Sequence, residues 1–178
     1  MDREKAFEEL KLRIESQDII RHCLAVEAIM KSLAKHFHED AEIWGMTGLV
    51  HDIDWERIDG NMELHGKMGG DILENLDFDQ TVVYAVRAHN PANRIARRRK
   101  LDKALYFASP MAELIMACVE STPGKAIDGI DAERIMQCYA DPEFQPKICR
   151  DRIDSCGELD LSVEELAEIS LKALKETL

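Results

Sequence analysis

No run of apolar residues in this chain approaches the length of a membrane span. The longest, Ile43 to Val50, is eight residues and already contains Gly and Thr, whereas a bilayer takes roughly 20. Glycine and proline are scarce, 9 and 5 in 178 residues, which excludes collagen-like and low-complexity chains. Positive charge is short too: 23 Lys and Arg face 35 Asp and Glu, a formal net charge of −12. Such a surplus repels phosphate backbones, so a nucleic-acid polymer is not an expected partner. The start, Met-Asp-Arg-Glu-Lys, has neither the basic stretch nor the apolar core of a secretory signal, and the cytoplasm is the expected compartment. Cysteines at 23, 118, 138, 149 and 156 form no CxxC pair. Free buried thiols are therefore expected instead of disulfides or a zinc knot.

What is present is helical periodicity, with no run of strict alternation that would make a strand. A charged amphipathic segment covers Glu4 to Ile14. Ser16 then caps a long helix with His22, Val26, Met30, Leu33 and Phe37 on one face. A third helix from about Asp40 aligns Trp44, Thr47 and His51 and runs out at His51-Asp52-Ile53-Asp54, before the Asp59-Gly60 turn. Glu63 to Leu76 and Gln80 to His89 read as two further helices, the second stopped by Asn90-Pro91. From Leu101 an apolar stripe recurs at 105, 108, 112, 115 and 119, and Pro110 either kinks that helix or starts a new one capped by Ser109. Ala132 to Tyr139, a helix near Arg152 and a last helix opened by the capping box Ser162-Val-Glu-Glu165 complete the chain. The expectation is a single all-α domain over residues 1–178, a bundle of about eight or nine helices.

Six histidines stand at 22, 36, 38, 51, 65 and 89. His36 and His38 lie in a charged helix end and are expected in solvent. His22, His51 and His89 lie on apolar stripes, and one inward histidine is ordinarily a hydrogen-bonded core residue. Three of them, with His51-Asp52 adjacent at a helix end, point to a metal site, because imidazole with carboxylate suits Mn, Fe, Co, Ni or Zn.

The ordered set of His22, His51-Asp52, Glu63-Leu64-His65-Gly66 and Ala88-His89-Asn90-Pro91 resembles the HD superfamily of metal-dependent phosphohydrolases, more narrowly the small HDIG-type hydrolases. The resemblance implies that His22, His51 and Asp52 hold a divalent metal ion (Mn, Fe, Co, Ni, Zn or Mg). It implies that His65 and His89 take a second ion or the substrate phosphate. Asp52, His65 and His89 are then the catalytic residues, and metal-activated water attacks a small phosphorylated molecule. Two positions depart from the family. The glycine of the HDIG signature is Asp54 here, and the late aspartate ligand is Ser109, a weak ligand. That second change lowers metal affinity, alters the chemistry or marks a non-catalytic binding protein, and the remaining His22, His51 and Asp52 also resemble the ligand set of non-haem iron oxygenases. Glu113 and Asp102, on the same helix as Ser109, are expected on its solvated or ion-paired surface.

The stretch from Arg94 to Lys103 carries net +5, leaving −17 on the remainder of the −12 total. Its position just after His89 makes Arg94 and Arg97 the candidate phosphate-binding residues. No exposed apolar stripe demands a partner, so monomer and homodimer both fit.

Overall fold

A computed structural model describes residues 1–177. Among them are nine α-helices, three short 3₁₀ turns and no strand: α1 (Arg3–Lys11), α2 (Gln17–His36), α3 (Ala41–Val50), α4 (Lys67–Asn75), α5 (Gln80–His89), α6 (Lys100–Ser121), α7 (Ala132–Ala140), α8 (Arg150–Asp154) and α9 (Val163–Lys175). The all-α expectation holds.

Local capping explains most of the boundaries. Asp2, Ser16, Asp40, Asp79, Asp131 and Ser162 each accept a hydrogen bond from a backbone amide in the first turn of the helix that follows, satisfying donors that the helix itself leaves open. The expected stripes are buried, including Leu101, Leu105, Ala108, Ala112, Ile115 and Val119 of α6. No helix among the described residues is long and apolar enough to cross a membrane.

Two boundaries differ from expectation. Residues 63–66 are turns, and α4 begins only at Lys67. The reason is Gly66, whose φ of +78° is a left-handed conformation that cannot extend a helix. A side chain there would also meet the Val86 carbonyl at 2.7 Å. Conversely, α6 runs unbroken through Pro110; Ser109 caps nothing and lies inside the helix. Asp102 is not at the surface: it is fully buried and takes the amides of Arg98 and Arg99 as α6 begins. Four cysteines are buried free thiols as expected, and Cys149 is an exposed one.

Two apolar clusters form the interior. The larger gathers α2, α6, α7 and α9 around Phe107, Met111 and Leu114; the smaller joins α1, α3, α4 and α5 around Leu10, Leu49, Leu73 and Val86. Helices α2 and α3 touch backbone to backbone at Gly48, where an added Cβ would lie 2.7 Å from the Val26 carbonyl oxygen. That contact brings His22 of α2 close to the end of α3.

Glu27, 4 % exposed, ties α1 to α2 by accepting hydrogen bonds from Arg3 Nε at 2.6 Å and Lys31 Nζ at 2.9 Å. Burial pushes its carboxyl up, but the two cations outweigh burial and hold it below the ordinary value of 4.5. Its contribution is therefore present above pH 4.5 and lost as pH falls through the lower folded value. Glu27→Gln should lower stability at neutral pH by about 1–3 kcal/mol. In urea unfolding the gap to the wild type should narrow under strongly acidic conditions.

Candidate metal centre

The end of α3 delivers His51 and Asp52 into the interior, and the chain then runs through turns to His65. Three of the four imidazoles are held from behind. His51 Nδ1 donates to the Gly48 carbonyl at 2.8 Å and His89 Nδ1 to the Val86 carbonyl at 2.6 Å. His65 Nδ1 donates to Asp54 Oδ1 at 2.9 Å. Carbonyl and carboxylate oxygens only accept, so each of these rings carries a proton on Nδ1 and turns Nε2 inward.

Those inward atoms surround Asp52. Its carboxylate oxygens lie 3.2 Å from His51 Nε2, 3.4 Å from His65 Nε2, and 3.7 Å from both His22 Nε2 and His89 Nε2. The Nε2 atoms of His65 and His89 are 2.9 Å apart. Two lone pairs at that distance repel unless a cation or a proton stands with them. His51 Nε2 is buried and has no hydrogen-bond partner among the described residues, its approach to Asp52 being poorly directed. The donor set forms two overlapping trios, His22, His51, Asp52 and Asp52, His65, His89, with donor atoms within 4.8 Å of one another. Nitrogen and carboxylate donors oriented by outer hydrogen bonds fit a divalent ion, with Asp52 common to both trios.

The electrostatics divide the rings. Burial lowers His22 and His89 to about 4, keeping them neutral donors. Burial opposes charge on His51 as well, but the neighbouring Asp52 outweighs it and holds this imidazole well above its ordinary range. Asp52 is held well below its own range by the imidazoles, against its burial. The cluster thus draws a positive charge to the side of Asp52, and a metal ion competes there with protons.

Asp54, which the resemblance sets where HDIG-type hydrolases have glycine, has a structural task. It is fully buried, and its Oδ2 accepts the amides of Gly66 and Gly69 at 2.7 Å each while Oδ1 holds His65. Asn90 and Asn93 clamp the same turn by donating to the His65 carbonyl at 2.9 Å. Gly69 leaves room for the carboxylate, since an added Cβ would come within 3.1 Å of it.

The cluster forms one wall of a cavity of about 850 Å³. Trp55, Met62, Ile19, Met116, Glu113, Arg21, Cys149 and Arg152 line much of the rest. Arg94 and Arg97 do not line it. Arg97 pairs with Glu158 at 2.9 Å and lies 3.8 Å over the Tyr106 ring; the basic stretch finds carboxylate and aromatic partners outside the cavity. Glu113 is exposed, as expected, and lines the cavity as well. His36 and His38 are exposed. Ser109 Oγ lies 3.4 Å from His22 Nε2, so the serine occupies the place beside the first histidine where the family's carboxylate was expected. Trp55 stands three residues after Asp52 and packs edge-on against His65, a signal available in the sequence. Arg152 carried none, being 100 residues from Asp52.

A family model described as HD domain matches residues 19–136, a span that contains every residue of both trios. The chain is also 36 % identical over 126 residues to an uncharacterized protein of the archaeon Methanocaldococcus jannaschii, covering 66 % of this chain and 72 % of that one. No solved structure matches significantly.

Substituting Asp52 or His51 by Ala should abolish retention of divalent metal in elemental analysis of the purified protein, whereas His36→Ala should leave it unchanged. Asp54→Asn, which weakens the hold on His65, should reduce metal affinity about 10- to 100-fold; unchanged affinity would show that His65 needs no such support.

Proposed function

The chain belongs to the HD domain family, and on that premise we propose that its cavity is the active site of a divalent-metal-dependent phosphohydrolase of the HDIG type. The substrate class is a small phosphorylated or nucleotide-like molecule. The observation that carries the reading is the convergence of four imidazoles on one buried carboxylate at a cavity wall, with His65 and His89 Nε2 only 2.9 Å apart.

In this reading His22, His51 and Asp52 hold the ion, Ser109 contributes at most a weak donor, and His65 and His89 take a second ion or the phosphoryl oxygens. A bound divalent ion supplies hydroxide near neutral pH and polarises the phosphoryl group. The protein's own contribution is positioning. Asp52 reaches toward both trios and so links the nucleophile to the phosphoryl site. His65, its Nδ1 proton committed to Asp54, presents Nε2 to the cavity and delivers a proton to the departing oxygen when it carries one. Trp55 packs edge-on against His65, and Met62 and Met116 add apolar surface to the cavity wall. The volume of about 850 Å³ exceeds what a bare phosphate fills and suits a nucleoside-sized leaving group.

Ser109 favours a second reading, a metal- or ligand-binding protein without turnover. Hydrolysis of a generic phosphomonoester with added Mn²⁺ or Co²⁺ decides between them. The hydrolase reading expects turnover that Asp52→Ala removes. Turnover appearing only in Ser109→Asp would instead identify the natural site as one that binds without hydrolysis.

A further inference from the structure

Besides the imidazole cluster, the cavity holds a cation that the metal reading does not use. Arg152, on α8, lines the cavity, and its Nη2 is buried without a hydrogen-bond partner among the described residues. An arginine nitrogen left in this state is costly unless a ligand completes it.

The fold holds this side chain in place by an unusual route. Pro110 has no N–H, so within α6 the carbonyl of Tyr106, four residues earlier, loses its helical donor. Arg152 Nε takes that carbonyl at 3.0 Å. The guanidinium also lies 4.7 Å over the Tyr106 ring, which carries Arg97 at 3.8 Å as well. Nε is thereby committed to the protein, while the other end of the fork has no hydrogen-bond partner among the described residues. Glu113 and Asp52 both act on Arg152, yet neither carboxylate forms an ion pair with it among the described residues. A cation held near Asp52 and His22, oriented by the backbone and unpaired, is arranged for an anion from solution.

We propose that Arg152 is the anion-binding residue of this cavity and takes a non-bridging oxygen of the substrate's phosphoryl group. This rests on the phosphohydrolase reading for the identity of the anion, but not for the existence of the site. The role assigned from the sequence to Arg94 and Arg97 falls to an arginine far along the chain. Glu113, on the same cavity wall as Arg152, disfavours additional negative charge beside it and so restricts the site to one phosphoryl group.

The test is calorimetric titration of inorganic phosphate into the full-length protein loaded with Mn²⁺, with metal content measured for each variant. Arg152→Gln should weaken phosphate binding about tenfold or more at unchanged metal content. Arg152→Lys, which keeps the charge but not the fork, should fall between. Arg94→Gln should match the wild type. If Arg152→Gln does not fold, Glu113→Gln carries the test: removal of the neighbouring negative charge should tighten phosphate about two- to fivefold. Phosphate binding within twofold of the wild type in Arg152→Gln, no tightening in Glu113→Gln, or no phosphate binding by the wild type each overturns the assignment. The two readings fail separately. Arg152-dependent phosphate binding without hydrolysis of any phosphomonoester overturns the hydrolase, whereas hydrolysis with both KM and phosphate binding unaffected in Arg152→Gln overturns the anion site.

Discussion

A single ionised carboxylate, Asp52, lies buried among imidazoles, and the rest of the molecule is arranged around that fact. A charge in such surroundings is tolerated only when matched by positive charge or hydrogen bonds. Here the matching groups are four rings that must all present the same nitrogen. Three of them do so because an outer oxygen, from Gly48, Val86 or Asp54, already holds the opposite nitrogen. The position of each ring therefore depends on a backbone or carboxylate position some residues away, and disturbing those supports disturbs the centre.

The supports belong to the helix packing. Gly48 is both the point where α3 touches the backbone of α2 and the source of the carbonyl that orients His51. Gly66 ends the turn that carries His65, and its left-handed backbone lets its amide and that of Gly69 meet on Asp54. Pro110 gives up one hydrogen bond inside α6 and releases a carbonyl that Arg152 captures. In each case a residue with an unusual backbone property, a missing side chain or a missing N–H, sits where a functional side chain is held.

Much of this was legible from residue order. The helical class followed from periodicity, and the buried faces of α2, α3, α5 and α6 followed from the spacing of apolar residues. His22, His51, Asp52, His65 and His89 were named from the motif set, and the structure brings all five together. The readings that failed concerned charge. Asp102 looks like a surface residue because helix propensity does not distinguish a carboxylate that takes the amides at a helix start from one in solvent. Arg97 looked available because a run of basic residues does not reveal that Glu158 and the Tyr106 ring lie beside it.

The sequence by itself determined the fold class, because periodicity is a local property written along one chain, and the resemblance of its ordered motifs to the HD superfamily implied the donor set. Only the tertiary structure decided which nitrogen each histidine presents, that Asp54 orients His65, and that Arg152 shares the cavity with Asp52. Those relations join residues 3, 11 and 100 positions apart. They exist only after α2, α3, α5, α6 and α8 have packed, since hydrogen-bond direction and burial are properties of the assembled interior.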